Sequence, residues 1–381
     1  MEKEISIYIH IPFCAQKCFY CDFTSYQEKE NIIGKYVTAL CDEIIRNSEI
    51  LSLYTIRTIY IGGGTPSYID SEYIKQILDT LSLFIIKEKL DEITIEVNPN
   101  SASLENLNKY KEIGINRLSI GVQSICNSTL KKIGRLHNFK DVELVIENAN
   151  KVGFENISID LMYPLPDIDL EKLKETLNYI VSKKDMGVKH VSIYNLEVHD
   201  NTKLGFLLKE GYISLADEDQ EYEMHEYIDK KLKEDGYNKY EISNYALPGY
   251  ESKHNLVYWN QGEYLGFGAA ASSFFSGTRY QNEKKLESYI EKIENNEDIV
   301  IDKEDLDLLD LMKEYIILNL RKSEGVSYNK FKIKFKKEVK DIFNEEIEEL
   351  IKNKLVIENK NELFLSKRGF EVANLVWEKF I

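Results

Sequence analysis

Hydrophobic and polar positions in the first two-thirds of the chain follow two alternating patterns. Short runs rich in β-branched and aromatic residues end at turn-forming residues, as buried β-strands do. Between them lie stretches with hydrophobic residues three or four positions apart, which predict amphipathic helices. The alternation predicts right-handed βαβ units and therefore an α/β fold with a parallel sheet. The predicted strands are 5–10, 58–61, 92–97, 117–122, 157–161 and 191–195, and the predicted helices include 33–50, 71–86, 104–113, 139–152 and 170–182.

The pattern changes after about residue 280, where the strand–helix alternation ends. Four helices are predicted over residues 286–293, 303–320, 328–335 and 342–353. Residues 355–365 then predict a β-hairpin, and residues 367–380 predict a last helix. Helices followed by a hairpin favour a winged-helix-like arrangement. We therefore predict two domains, residues 1–280 with the βα units and a smaller, mainly helical domain over residues 281–381.

Turn-forming residues gather just after the predicted strands. Five of the six prolines and a run of three glycines occupy such positions. The carboxyl ends of parallel strands meet at one edge, where barrel and doubly wound folds place their active sites. We therefore expect the chemistry of this chain at the carboxyl ends of its strands.

Composition narrows the classes of function. The 381 residues are 43% hydrophobic and 30% charged, as in ordinary soluble domains, and no apolar run is long enough to span a bilayer. A formal net charge of −16 argues against nucleic acid as a partner. A basic stretch over residues 330–337 is the exception. We interpret it as a solvated face, with contact to an anionic partner as the alternative.

Three of the five cysteines lie close together, directly after the first predicted strand. Cys14, Cys18 and Cys21 have the spacing Cys-x3-Cys-x2-Cys, whereas Cys41 and Cys126 stand alone and are expected in the core. Three thiolates on one loop can hold three irons of a [4Fe–4S] cluster and leave the fourth iron open, since such clusters normally take four cysteines. Because such cysteines must stay reduced, we expect the protein in a reducing cytoplasm.

Two other interpretations of these cysteines were weighed. A disulfide framework is disfavoured by the odd number of cysteines and by the lack of a signal peptide. A structural zinc site takes four ligands, typically in two separated pairs. His10 is a candidate fourth zinc ligand, but it lies inside a predicted strand.

The cysteine spacing, with Tyr20 just before the last cysteine, resembles the radical S-adenosylmethionine (SAM) superfamily. The resemblance implies an open, partial (β/α)6 barrel that binds a [4Fe–4S] cluster and SAM. It also implies that the methionine part of SAM chelates the open iron and that one electron cleaves SAM to methionine and a 5′-deoxyadenosyl radical. The cofactors would carry the chemistry, while the protein binds, orients and shields them.

Further segments extend the resemblance. Gly63, Gly64 and Thr65, within Gly-Gly-Gly-Thr-Pro, resemble the segment that contacts the methionine amino group. By itself this segment is also compatible with a simple tight turn, because glycine adopts dihedral angles that side chains forbid.

The resemblance also implies roles for residues on later strands. Glu96 matches a glutamate that binds the methionine moiety of SAM, and Asp160 matches a carboxylate that contacts the ribose hydroxyls. Arg135 is suited to a bidentate grip on a carboxylate. The remaining implied cofactor-binding residues are Tyr8, His10, Tyr20, Phe23 and Gln123.

A motif near residue 254 narrows the family. His254-Asn255-Leu-Val-Tyr258-Trp259 resembles the His-Asn-x-x-Tyr-Trp motif of the HemW-type haem chaperones, which are similar to oxygen-independent coproporphyrinogen III oxidases. The resemblance implies haem binding by these four residues, with the imidazole as axial ligand and aromatic rings on the macrocycle. The alternative is a core helix with a structural histidine.

Two features favour the chaperones over the oxidases. Phe23 stands where the oxidases have a fourth cysteine, and the first predicted strand begins within a few residues of Met1, without their long N-terminal extension. We expect a cytoplasmic protein that binds a cluster, SAM and haem and passes haem to acceptor proteins. It would need an electron donor such as flavodoxin or ferredoxin, and peripheral membrane association stays open.

Two alternatives remain at this point. The first is the oxidase itself, a SAM-dependent coproporphyrinogen III dehydrogenase that turns two propionates into vinyl groups. The second is another radical SAM enzyme with a small substrate, because fold does not fix function.

Overall fold

In the computed structural model, which describes residues 3–381, six parallel strands form the centre of one large sheet. Neighbouring strands in the sheet are also neighbours in the sequence. The strands are mostly buried on both faces, as expected when helices cover a parallel sheet. This confirms the α/β fold and all six predicted strands. The strands are β1 (Glu4–Ile11), β2 (Thr55–Gly63), β3 (Glu92–Val97), β4 (Arg117–Gln123), β5 (Ile157–Tyr163) and β6 (Val188–Asn195).

Helices connect these strands, and each packs an apolar face on the sheet. The predicted helix over 33–50 is in fact two helices, because Asn47 leaves the helical conformation with φ −90° and ψ 13°. No helix within residues 3–381 combines the length and apolar character needed to cross a membrane. The helices are α1 (Ile33–Arg46), α2 (Ser48–Leu53), α3 (Ser71–Ser82), α4 (Leu104–Glu112), α5 (Asn127–Lys132), α6 (Phe139–Val152) and α7 (Leu170–Ser182).

The sheet continues beyond both edges of the parallel part. Strand β9 pairs parallel with β1, and three antiparallel strands follow it, so the order is β12-β11-β10-β9-β1-β2-β3-β4-β5-β6-β8-β7. These elements are α8 (Lys203–Lys209), α9 (Glu218–Glu234), β7 (Asn238–Lys239), β8 (Asn244–Ala246), α10 (Lys253–Trp259), β9 (Tyr264–Phe267), β10 (Ser272–Phe275), β11 (Thr278–Asn282), α11 (Leu286–Glu294) and β12 (Val300–Asp305).

The last part of the chain forms a second core around a small antiparallel sheet of order β13-β15-β14. The predicted hairpin is confirmed. The single last helix is wrong, because Val372 adopts φ −126° and ψ 40° and interrupts it. The elements are α12 (Leu308–Leu320), β13 (Val326–Ser327), α13 (Tyr328–Phe335), α14 (Val339–Lys352), β14 (Val356–Glu358), β15 (Glu362–Leu365), α15 (Lys367–Glu371) and α16 (Ala373–Trp377).

The chain leaves the first hydrophobic core and enters the second at a point C-terminal to residue 280. The predicted helix 303–320 is wrong in its first residues, because β12 pairs with β11 and extends the large sheet. Leu286, Tyr289 and Ile293 of α11 also belong to the first core. The boundary at 280 stays a prediction, and we propose a later one, between β12 and α12.

Candidate cluster and cofactor site

A cavity of about 400 Å³ opens at the carboxyl ends of the parallel strands, and we call it the cluster cavity. All three clustered cysteines face it. The strand ends bring the other residues there from distant parts of the sequence, as parallel strands do. The sequence-predicted residues that line the cluster cavity are Cys14, Cys18, Tyr20, Cys21, Phe23, Gly63, Gly64, Thr65, Glu96, Gln123, Arg135 and Asp160.

The cysteine loop is held by backbone bonds and by contacts to its thiols. The Cys14 amide donates to the carbonyl of Tyr26 over 3.0 Å, and Cys14 Sγ lies 3.5 Å from Thr65 Oγ1. Burial raises the pKa of the Cys14 thiol and raises that of Cys21 to about 11. These two thiols are therefore neutral until a cation or metal binds and favours the thiolates.

Two glycines let this loop approach the end of β2. Gly63 has φ +118°, and a Cβ on it would lie 2.7 Å from the His10 ring. A Cβ on Gly64 would lie 2.9 Å from Cys14 Sγ and 2.8 Å from the carbonyl oxygen of Phe13. Gly64 is therefore required by close packing against the cysteine loop, and Gly63 by its positive φ and its close approach to His10 on β1.

Two half-buried carboxylates, Glu96 and Asp160, face the cluster cavity from β3 and β5. Glu96 accepts a hydrogen bond from Tyr60 Oη over 2.9 Å and another from the Gly63 amide over 3.2 Å. Burial raises the pKa of Glu96 to about 7, although these two donors oppose the rise. Asp160 accepts from Ser119 Oγ over 2.9 Å, and burial raises its pKa as well. Both carboxylates would be stabilised as anions by a ligand that brings amino or hydroxyl donors.

Arg135 joins the cysteine loop to β4. Its Nη1 donates to Cys18 Sγ over 3.4 Å, and its Nη2 donates to the carbonyl of Gly121. Its Nε donates to His137 Nδ1 over 3.4 Å, and His137 Nε2 donates to the carbonyl of Val122 over 3.1 Å. Burial and the neighbouring guanidinium lower the pKa of His137 to about 3, so this imidazole stays neutral.

Some lining residues were not predicted from the sequence. Tyr194 lies at the end of β6 and Asn98 follows the end of β3, and both line the cluster cavity. Ser119 lines it too and holds Asp160. The strand-end positions of Tyr194 and Asn98 were the signal that could have identified them.

A second cavity, of about 550 Å³, lies beside the first, between the antiparallel extension of the sheet next to β1 and helix α12. We call it the edge cavity. Its lining includes Tyr8, His10, Phe23, Tyr258, Trp259, Gln261, Tyr264, Arg279 and Glu314. The two predicted cofactor residues of β1, Tyr8 and His10, thus line the edge cavity instead of the cluster cavity. Asp22 and Phe23 line both cavities and form the wall that they share.

His254, the predicted haem ligand, is 0% exposed and lies at the start of α10. Its Nδ1 lies 2.7 Å from Thr58 Oγ1 and its Nε2 lies 2.7 Å from the Tyr258 hydroxyl. Thr58 donates its own proton to Ser6, so Nδ1 donates to Thr58 and Nε2 accepts from Tyr258. Burial lowers the pKa of His254 to about 3. Neither His254 nor Asn255 lines either cavity, and the haem role of the motif stays a prediction.

Comparison with known proteins gives the family. Residues 8–180 match the model of the radical SAM superfamily, and residues 306–372 match that of the HemN C-terminal domain. A Lactococcus lactis protein named heme chaperone HemW is 38% identical over 381 residues, which cover 100% of this chain and 98% of the relative. The chain belongs to the HemW family. A HemW of Bacillus subtilis is 36% identical over 377 residues, 99% of both chains.

The HemW fold of this chain is also found in an oxidase. The solved structure of coproporphyrinogen III oxidase (HemN) from Escherichia coli matches with a TM-score of 0.84 and 22% identity, over 100% of this chain and 90% of that one. At this identity the likeness shows the fold alone. It agrees with the two domains that the family models match in this chain, the radical SAM domain and the HemN C-terminal domain.

Membership of the radical SAM superfamily implies a [4Fe–4S] cluster and SAM, and the cluster cavity fits both. Three free thiols face one space of suitable size, and the half-buried carboxylates of Glu96 and Asp160 lack a cationic partner strong enough to keep their pKa values low.

Proposed function

We propose that this HemW protein binds a [4Fe–4S] cluster and SAM in the cluster cavity, binds haem, and delivers haem to acceptor proteins. The observation that carries the proposal is the full-length match to relatives that are named heme chaperones. Phe23 supports the proposal, because it stands where the cysteine loop of the related oxidases has a fourth cysteine.

The residues of the cluster cavity divide the binding roles. Cys14, Cys18 and Cys21 would hold three irons, and the fourth iron would be open to SAM. Glu96 would bind the amino group of the methionine moiety beside the Gly63 amide, and Asp160 would accept hydrogen bonds from the ribose. When bound, the cluster and SAM supply one-electron chemistry. The side chains themselves bind, orient and exclude water.

The partners follow from these roles. Haem or another tetrapyrrole is the cargo, haem-accepting proteins receive it, and a one-electron donor of the flavodoxin or ferredoxin class reduces the cluster. Nucleic acid is not among the partners, given the net charge of −16. A cytoplasmic location and loose membrane association remain predictions.

The cluster assignment is tested by single substitutions after anaerobic reconstitution. Cys14→Ser, Cys18→Ser and Cys21→Ser should each abolish the brown thiolate-to-iron absorbance and lower the iron content. Cys41→Ser and Cys126→Ser are the matched controls and should retain both. A cluster that survives the loss of any of the first three cysteines would refute the ligand assignment.

The chaperone function is tested with haem transfer. Reconstituted protein loaded with haem should pass it to an apo-acceptor, which size-exclusion chromatography with absorbance detection follows. In a parallel anaerobic reaction, reductant, SAM and coproporphyrinogen III are added and the tetrapyrroles are separated. Haem transfer with unchanged coproporphyrinogen supports the chaperone. Vinyl products would establish the oxidase alternative instead.

A further inference from the structure

The edge cavity has the size and the lining of a binding site. Its volume of about 550 Å³ falls among ordinary cofactor sites, and aromatic rings supply most of its apolar walls.

Four side chains that line the edge cavity are of types that coordinate haem iron: Tyr8, His10, Tyr258 and Tyr264. Three of them are engaged with other residues. Tyr8 donates to His10 Nδ1 over 3.0 Å, and His10 Nε2 donates to the carbonyl of Thr24 over 3.1 Å. The hydroxyl of Tyr258 donates to His254 Nε2. Only the Tyr264 hydroxyl has no hydrogen-bond partner within the described residues.

Arg279 places a positive charge near Tyr264. The guanidinium lines the same cavity and also forms ion pairs with Glu304 and Glu314. Burial raises the pKa of Tyr264, and the positive charge of Arg279 opposes that rise. A phenolate formed at Tyr264 would therefore have a cation beside it, which favours the charged form.

His254 affects the position of Tyr264 indirectly, through Tyr258. The Tyr258 ring packs edge-to-face on the Tyr264 ring, with 4.6 Å between the ring centres and an angle of 76°. Because His254 Nε2 holds the Tyr258 hydroxyl, it fixes the ring that orients Tyr264. His254 is thus a positioning residue, which accounts for a histidine that is fully buried within a haem-associated motif.

We propose that the edge cavity is the haem site and that Tyr264, beside Arg279, is the axial ligand in place of His254. The inference rests on the proposed haem-binding function and names the site. On binding ferric haem, one Fe–O bond to Tyr264 forms, a water bound to iron leaves, and the phenol proton passes to solvent. No electron is transferred in this step.

Resonance Raman spectroscopy of the ferric haem complex of the full-length protein tests the proposal. Phenolate ring modes should be present and should shift when the protein is labelled with ring-deuterated tyrosine. Tyr264→Phe should abolish these modes and weaken haem affinity by at least about tenfold, the lower end of the effect of altering groups around a bound metal. Tyr264→His should replace them with the signature of a histidine-ligated iron, which would show that position 264 reaches the metal.

Two controls separate the outcomes. Tyr280→Phe alters a tyrosine of β11 that lines a different cavity, and it should leave the spectrum unchanged. His254→Gln should keep the phenolate modes. Haem binding with a spectrum that is unchanged in Tyr264→Phe, or a ligand signature lost only in His254→Gln, would overturn this inference alone. A wild-type protein that binds no haem would overturn the proposed function and the inference with it.

Discussion

Glu43 should make this protein less stable as the pH rises through neutrality. The carboxylate is buried at only 4% exposure in α1, and it accepts hydrogen bonds from the Gly268 amide and from Asn282 Nδ2. Tyr289 donates a third. Burial raises the pKa of Glu43 from its ordinary 4.5 to about 7, although these donors oppose the rise. The folded protein therefore holds a proton at Glu43 that the unfolded chain has already released.

The sign and size follow from this difference. Between pH 4.5 and 7 the folded state binds more protons than the unfolded state, so the free energy of unfolding falls as pH rises. The difference between the two pKa values, about 7 in the folded protein and 4.5 in the unfolded chain, corresponds to about 3 kcal/mol at about 1.36 kcal/mol per pH unit. Most of this, roughly 2–3 kcal/mol, is lost between about pH 5 and pH 8.

The assay compares urea unfolding of the wild type and Glu43→Gln under anaerobic conditions at several pH values. Glutamine stays neutral, so the wild-type free energy of unfolding minus that of the variant should fall by roughly 2–3 kcal/mol from about pH 5 to pH 8. Other titrating groups cancel in this difference. Glu49→Gln, on the exposed surface of α2, is the control and should give a flat difference. A flat or rising difference for Glu43→Gln would refute the reasoning.

Two further predictions concern packing. Gly64→Ala should displace Cys14 and lower the iron content after reconstitution. Gly34→Ala is the control, because its Cβ would meet only the Tyr73 side chain, and it should keep the full iron content. Full iron content in Gly64→Ala would contradict the close approach of Gly64 to Cys14. Leu350→Ala, at a fully buried position of the second core, should lower the free energy of unfolding by about 2–5 kcal/mol in urea titrations. The exposed Leu375→Ala should change it by less than about 0.5 kcal/mol, and equal effects of the two would argue against the second core.

Elements with strong local signals were predicted best. Helix α6 has the predicted bounds, because Asn138 and Asp141 form a capping box at its start and Gly153 ends it with φ +87°. Strand β3 also has its predicted bounds. These signals act within a few residues, so the sequence alone contains them.

The antiparallel extension of the sheet could not be predicted in the same way. Five of the six residues of β12 are exposed, so the strand has no alternating apolar pattern, and its existence depends on pairing with β11. The same charged residues fitted the start of a predicted helix. Strands β9 and β10 have only four residues each, too few for a periodic signal.

The two cavities differ in the same way in how far their residues could be predicted from the sequence. Residues at the ends of parallel strands were expected to converge, and Glu96 and Asp160 do line one cavity with the cysteines. The sequence could not show that His254 packs beneath β2, since this depends on Thr58, which is 196 positions away. It also could not bring Arg279 to Tyr264, because their proximity depends on the unpredicted strands.

The two outer strands of the large sheet also bear on aggregation. A sheet of twelve strands has two open edges, and each could recruit a strand from another molecule. One edge is β7, which has two residues, and the other is β12, whose last four side chains are all charged and exposed. A strand added to β12 would have to accommodate Asp302, Lys303, Glu304 and Asp305. Both edges of the sheet are thus poor templates for pairing with a strand of another molecule, which protects the protein from edge-to-edge aggregation.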